Sequence, residues 1–497
     1  MSGNLYWAVQ SSCWANHGEG TCVAKHKAPV TRRGVTTGPT VAALVVALVS
    51  VFGTWPGWLS GTSRELRIEA ASGLVTDWGP PLLVTIWRYL GADPLGPLIP
   101  YLMQEFTFWV GILLTTFVIS QRLKWWATLL PVTVYFSDHL WAIHWVEKDG
   151  TVLATTTLAL GLLTAALYVR SKKVAVTLMA ASTLFLGLGA IARWYMLPVL
   201  AFGALVVLLA TYWRLRDGAS GQNTPNNPRL RGLIALAAIF FALGAATPLV
   251  IERFFVVATP SYHSSSIKFL DLWRAECLTS SGELVSASPP TSPKFFPPEL
   301  VIMGAESICT NFQPNVWNTV KDALPGVTRV RLPANESEVA ALNEAWRDVW
   351  ATEAPVLIYS RFVLAQNLLG LSEFWMTLGE EEKVATGEAR LTIARAPATM
   401  LAAGETLGNV GRNGSIYVVF LPIVLLIVLL ARDYRPPVWV YLGLSFPVLW
   451  LVNFVSIGPA NDTRYISTAV GWSVIFVFLV FSLVNTYRKN STRVMKL

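Results

Sequence analysis

An aspartate and a tryptophan stand against two prolines in Thr76-Asp77-Trp78-Gly79-Pro80-Pro81-Leu82. The two prolines fix two φ angles and remove two donors, so Asp77 sits outside the middle of any regular helix. A turn stiffened in this way holds one carboxylate in one place. Other residues able to do chemistry occupy similarly short connections. Glu65 and Glu69 share the loop with Asp77; His139, His144, Glu147, Lys148 and Asp149 surround a second turn. Arg193, with Trp194 and Tyr195, marks a third, and Arg464 with Tyr465 a fourth. Gathered on one face, these acids, bases and cations would serve proton transfer and the binding of an anionic group.

Each of these residues also has a plainer reading. Asp77 can cap a helix or pair with Arg64 or Arg88, and Glu147-Lys148-Asp149 can be a solvated turn with Asp149 as the N-cap of the next helix. Arg193 and Arg464 can be snorkelling interface anchors. His139 and His144 are five residues apart, which is not a helical ligand spacing, and no metal site is assigned. Most of the tryptophans belong to an interfacial belt. Trp78, in a rigid turn, is the one suited to stacking on a sugar ring.

What positions these turns is a set of long apolar blocks. The chain has 497 residues, 53% hydrophobic and 14% charged, whereas a soluble domain carries roughly 25% charged residues. A spanning helix needs about 20 largely apolar residues. Blocks of about that length fall near 39–58, 98–120, 125–143, 151–169, 174–192, 195–213, 232–252, 415–431, 437–457 and 465–486. The fold class is an all-α polytopic integral membrane protein with about ten transmembrane helices. The net charge of +8 is distributed in alternate connections. Lys25, Lys27, Arg32 and Arg33 precede the first span, followed by Arg122 and Lys124, then Arg170, Lys172 and Lys173. Arg214, Arg216, Arg229 and Arg231 come next, then Arg432 and Arg435, and last Arg488, Lys489, Arg493 and Lys496. This positive-inside pattern predicts a multi-pass protein of the plasma membrane with both termini cytoplasmic. It lacks the clustered basic face that nucleic acid would need. The first apolar run reads as a retained helix, because no small-residue cleavage site follows it.

The predicted organisation is a cytoplasmic tail over 1–36, transmembrane helices one to seven over 37–257 with an outer loop at 59–97, and an extracytoplasmic loop region over 258–414. Helices eight to ten follow over 415–487, and a cytoplasmic tail over 488–497. The 258–414 region is mixed helical and irregular; Pro289, Pro290, Pro293, Pro297 and Pro298 argue against an independently compact domain. Within it, Asn335 and Glu338 form a capping-box pattern before the apolar spacing Val339, Leu342, Trp346 and Val349. A second helix opens near Pro355 and is expected on the membrane surface or against the outer helix ends; Arg361 and Gln366 make it too polar for a span. Cys277 and Cys309 both fall in this region, an oxidising setting in which a disulfide is expected. Cys13 and Cys22 read as free thiols of the tail.

Four motifs resemble those of the bacterial type C glycosyltransferase superfamily, membrane enzymes that use lipid-phosphate-linked sugars. They are Trp55-Pro56-Gly57 after the first span, Asp77-Trp78-Gly79-Pro80-Pro81-Leu82 before the second, Lys148-Asp149 opening the fourth, and Arg193-Trp194-Tyr195 with Pro198. Pro355, Tyr359 and Arg361 before an apolar helix also look like this group. Gly79 stands where the family has histidine, and Thr62 and Ser63 where many members have aspartate. The resemblance implies transfer of a hexosyl or pentosyl unit from a polyprenyl-phosphate donor to a glycan, lipid or protein acceptor on the extracytoplasmic face. It implies Asp77 as the general base that takes the acceptor proton, or as an acid that orients the acceptor, with Glu65 second. Lys148, Asp149, Arg193, Arg464 and His144 would bind substrate, and Trp78 would stack on the sugar. No cofactor is assigned, and a divalent cation stays open. The helix after Pro355 would line the entry groove of the lipid.

Two other classes compete. A transporter would favour broken helices with charges at mid-membrane, often in two matching halves, whereas here the charges collect at helix ends. An outer-face polymerase or ligase of lipid-linked glycans would also have a large loop, but has no need of a carboxylate directly after the first span.

Overall fold

The computed structural model describes residues 37–54, 61–76, 80–89, 98–144, 148–193, 196–217, 265–278, 293–301, 330–369, 415–431, 436–457 and 466–494, with Val146, Cys309 and scattered positions between 235 and 258. Among them, helices α1 (Thr37–Gly53), α4 (Leu98–Leu123), α5 (Leu129–Phe136), α6 (Lys148–Tyr168), α7 (Lys172–Ala192) and α8 (Leu197–Asp217) build the first part of an apolar bundle. Helices α12 (Leu421–Ala431), α13 (Val438–Ile457) and α14 (Ser467–Val494) complete it. The only β pairing among the described residues is an isolated antiparallel bridge between Val301 and Val330. The fold is therefore all-α.

Among the described residues, six helical stretches are long and apolar enough to cross a membrane: Leu98–Phe136, Lys148–Tyr168, Lys172–Ala192, Leu197–Arg214, Val438–Ser456 and Ser467–Asn485. Thr37–Gly53 and Ile416–Leu430 are apolar but shorter. Most of the expected 232–252 span lies outside the described residues.

The blocks at 98–120 and 125–143 meet in a hairpin. A straight helix would hold Glu105 and His144 about 58 Å apart at 1.5 Å per residue, yet Glu105 Oε1 and His144 Nδ1 are 2.6 Å apart. The reversal begins at Lys124, a non-glycine residue with φ 55°, and proceeds through a 3₁₀ turn over Lys124–Thr128. Helix α5 and a second 3₁₀ segment, Asp138–His144, carry the chain back.

Close approach at small residues sets the packing of α4 on α6. A Cβ on Gly111 would stand 2.6 Å from the Thr157 carbonyl oxygen, and one on Gly161 2.6 Å from that of Gly111. Small residues at such crossings let membrane helices pack backbone to backbone. Elsewhere aromatic rings fill the seam: Trp472 stacks on Phe446 at 3.8 Å between ring centres and donates to the Gly443 carbonyl at 2.9 Å.

The 59–97 connection, expected as a polar loop, is largely helical. Helices α2 (Gly61–Ser72) and α3 (Pro81–Tyr89) pack together and flank the Asp77 turn. Leu66, Ala70, Val75, Val84 and Trp87 form a small core with Tyr101 of α4 and Val146.

Among its described residues the 258–414 region holds a buried apolar cluster. Helices α9 (Ser266–Cys277), α10 (Glu336–Thr352) and α11 (Ala354–Leu368) enclose Phe269, Leu272, Trp273, Leu300, Leu342 and Val349. The expected disulfide is present, with Cys277 and Cys309 Cα atoms 5.2 Å apart. The capping box also forms: Asn335 Oδ1 accepts from Glu338 N at 2.9 Å, and Glu338 Oε2 reaches back to Ala334 N at 2.8 Å. Arg331 donates to both Glu338 oxygens, at 2.6 and 2.7 Å. Together these donors hold the Glu338 carboxyl down at about 2, the Arg331 hydrogen bonds contributing most.

Candidate functional site

The site begins with a charge in an apolar helix. Glu105 of α4 is 0% exposed, and an acid at membrane depth costs roughly 2.5–3.5 kcal/mol on insertion scales unless partners meet it. Its partners are His144 Nδ1 on Oε1 at 2.6 Å and Trp109 Nε1, one turn along, on Oε2 at 3.0 Å. The other ring nitrogen of His144 is Nε2. That nitrogen lies 3.4 Å from Ser50 Oγ of α1. Thr54 Oγ1 stands 3.0 Å from His144 Nδ1 and 2.8 Å from Tyr101 Oη, and Tyr101 donates to the Val51 carbonyl at 2.9 Å. Ser50, Thr54, Tyr101, Glu105 and His144 thus tie α1 and the two arms of the hairpin at one end.

Gln104 carries the network onward. Its Nε2 donates to the Ile143 carbonyl at 2.5 Å, and its Oε1 accepts from Thr151 Oγ1 of α6 at 3.4 Å. The first turn of α6 holds half-buried Lys148 and buried Asp149. Helix α6 starts at Lys148, so Asp149 lies inside the first turn and is not the N-cap. A carboxylate there is favoured by the positive end of the helix dipole. Arg193, buried at the C-terminal end of α7, donates to Asp149 Oδ2 through Nη2. Its backbone N–H closes α7 on the Gly189 carbonyl at 3.2 Å. Arg193 is therefore an internal ion-pair partner and not an interface anchor.

Thr76, the residue before Asp77, is tied to α2. Glu69 accepts from Thr76 N at 3.2 Å and Thr76 Oγ1 at 2.5 Å. Gly73, with φ +74°, lets α2 end in a left-handed residue, and the Arg88 guanidinium fills the space a Cβ there would need, 2.9 Å from it. Val75 and Val84, on the two sides of the turn, share a core with Tyr101, whose hydroxyl belongs to the buried network. Asp77, Trp78 and Arg464 lie outside the described residues, as does the side chain of Glu65; its backbone belongs to α2.

Of the expected site residues, His144, Lys148, Asp149 and Arg193 come together at one end of the bundle. Glu105, Gln104, Ser50, Thr54 and Tyr101 join them without having been anticipated. Glu105 was visible as a single acid in the apolar block 98–120, a signal that by default marks a functional position. Its partner was not, because His144 reaches it only through the Lys124 reversal. Among the described residues no group of three or more His, Cys, Asp or Glu stands close enough to hold a metal ion.

No family model matches the chain, and no curated protein or solved structure matches it. Its chemistry has to be read from its own residues.

Proposed function

We propose that the chain is a membrane glycosyltransferase that moves a sugar from a polyprenyl-phosphate donor to an acceptor hydroxyl on a glycan, lipid or protein, on the extracytoplasmic face of the cell membrane. The observation that carries the reading is the convergence of Glu105–His144 and Asp149–Arg193 beside Lys148 at one end of the bundle. In the reaction, the acceptor oxygen bonds to the anomeric carbon as that carbon's bond to the phosphate oxygen breaks. The hydroxyl proton passes to a carboxylate, Asp77 with Glu65 second. The polyprenyl phosphate leaves with the bond electrons, and cations nearby lower the barrier by meeting that charge. Lys148 and Arg464 take this role, Arg193 fixes the corner through Asp149, and Trp78 stacks on the sugar. His144, held by Glu105, stands beside these groups as a further polar contact for substrate.

In vesicles supplied with a polyprenyl-phosphate-linked sugar and an acceptor, Asp77→Asn should abolish transfer while the melting temperature stays near wild type. Unchanged turnover would remove Asp77 from the mechanism.

A proton-coupled transporter is the second reading, favoured by the buried Glu105–His144 pair, since such pairs line proton paths. Glu105→Gln would then abolish proton-driven uptake into vesicles, and no sugar transfer would be seen in wild type.

A further inference from the structure

We propose that the outward face of α11 lies among the lipid chains of the bilayer, in the leaflet on the side of the 258–414 region. This inference stands apart from glycosyl transfer and does not depend on it.

The reason is that α11 is apolar on its outer face as well as its inner one, with its one charge turned inward. Its exposed described positions are Pro355, Ile358, Tyr359 and Phe362. These fall at i, i+3, i+4 and i+7, which is one face of a helix. Ile358 is 60% exposed, Tyr359 40% and Phe362 58%. The polar side chains turn the other way. Ser360 and Arg361 are buried, and Arg361 Nη2 donates to Asp271 Oδ1 at 2.5 Å. Asp271, itself buried, also accepts from Arg274 Nη1 at 3.2 Å and from Trp346 Nε1 at 3.0 Å. A helix facing water shows the opposite arrangement, with charge outward and apolar residues inward. Charge inward with apolar residues outward is the pattern of a helix facing lipid.

The neighbours of α11 place this face at membrane depth. Val356 and Leu357, near its start, belong to the core shared with α9 and α10. Leu364 and Leu368, near its end, belong to the core of the apolar bundle, and α11 packs on α13, one of the stretches long enough to span. The helix passes from one core to the other, so its free side crosses the same boundary. Helix α10, one residue earlier in the chain, supplies the internal contrast. Its exposed positions include Glu336, Ser337, Glu344, Arg347 and Asp348, a face made for water.

The test uses the full chain with Cys13→Ser and Cys22→Ser, keeping the Cys277–Cys309 disulfide. Single cysteines Ile358→Cys, Phe362→Cys and, as the water-facing control, Ala340→Cys are labelled with an environment-sensitive fluorophore. All three positions are exposed, so the substitutions leave the cores intact. The proteins go into phosphatidylcholine vesicles with either ordinary or brominated chains, and iodide on both sides serves as the aqueous quencher. The expected result is blue-shifted emission at 358 and 362, most of it lost in brominated lipid and little of it to iodide, with the reverse at 340. Probes at 358 and 362 that respond to iodide as 340 does would overturn the proposal. So would probes shielded from both quenchers, which would mean that protein covers the face.

Discussion

Helices α10 and α11 are joined through Glu353 alone, share one core, and expose opposite kinds of side chain. Helix α10 places Leu342 and Val349 inward and its charges outward. Helix α11 places Arg361 inward and Ile358 and Phe362 outward. The two meet at Asp271, which accepts from Trp346 of α10 with one oxygen and from Arg361 of α11 with the other. The contrast teaches that amphipathicity identifies a face but not the medium that covers it. The apolar stripe of α10 is covered by protein, whereas α11 carries apolar residues both on its covered side and on its open one.

The comparison breaks most completely at Asp271. Replacing it with Asn removes the negative charge between Arg274 and Arg361, two guanidinia already so crowded that burial and each other's charge push Arg274 down to about 10. Loss of one member of a buried ion pair costs ~3–5 kcal/mol. Asp271→Asn should therefore lower the unfolding free energy by that order in detergent titrations, and a loss below ~1 kcal/mol would show that the pairing contributes little.

A smaller effect separates the two faces directly. Phe362→Lys should lower the unfolding free energy in a bilayer by on the order of 1–2 kcal/mol at the helix edge, where a lysine can still snorkel. Ala340→Lys on α10 should leave it unchanged, and equal effects at both positions would erase the contrast.

The smallest effect belongs to the start of α10. Asn335→Ala removes a cap worth ~1 kcal/mol, readable as a small shift in the same unfolding curve. Glu338 adds a pH dependence of known sign. Its carboxyl is held near 2 in the folded chain against an ordinary 4.5. Its contribution is thus complete above pH 4.5, declines as pH falls, and is gone below about 2. Glu338→Gln should flatten that part of the stability profile.

These helices also mark how far the sequence was legible. The capping box of α10 is a local device, and Asn335, Glu338 and the apolar spacing sufficed to find it. The opening of α11 near Pro355 was equally local, and the Cys277–Cys309 pairing followed from compartment and count. The orientation of α11 was not legible, because Arg361 and Gln366 show only a helix too polar for a span, and no local pattern announces that Asp271, 90 residues earlier, takes the guanidinium inside. The candidate site divides the same way. Lys148, Asp149 and Arg193 were visible as charges beside helix ends, but the link from His144 to Glu105 needed the reversal at Lys124, which no hydrophobic period announces.

The most direct measurement for the central claim is a density map of the protein in nanodiscs with a polyprenyl-phosphate sugar bound. Glycosyl transfer requires the phosphate beside Lys148, near the Asp149–Arg193 pair, with the sugar within reach of Asp77 and the lipid chain leaving sideways into the bilayer. A continuous water-filled path through the bundle, with no phosphate at that corner, would contradict it.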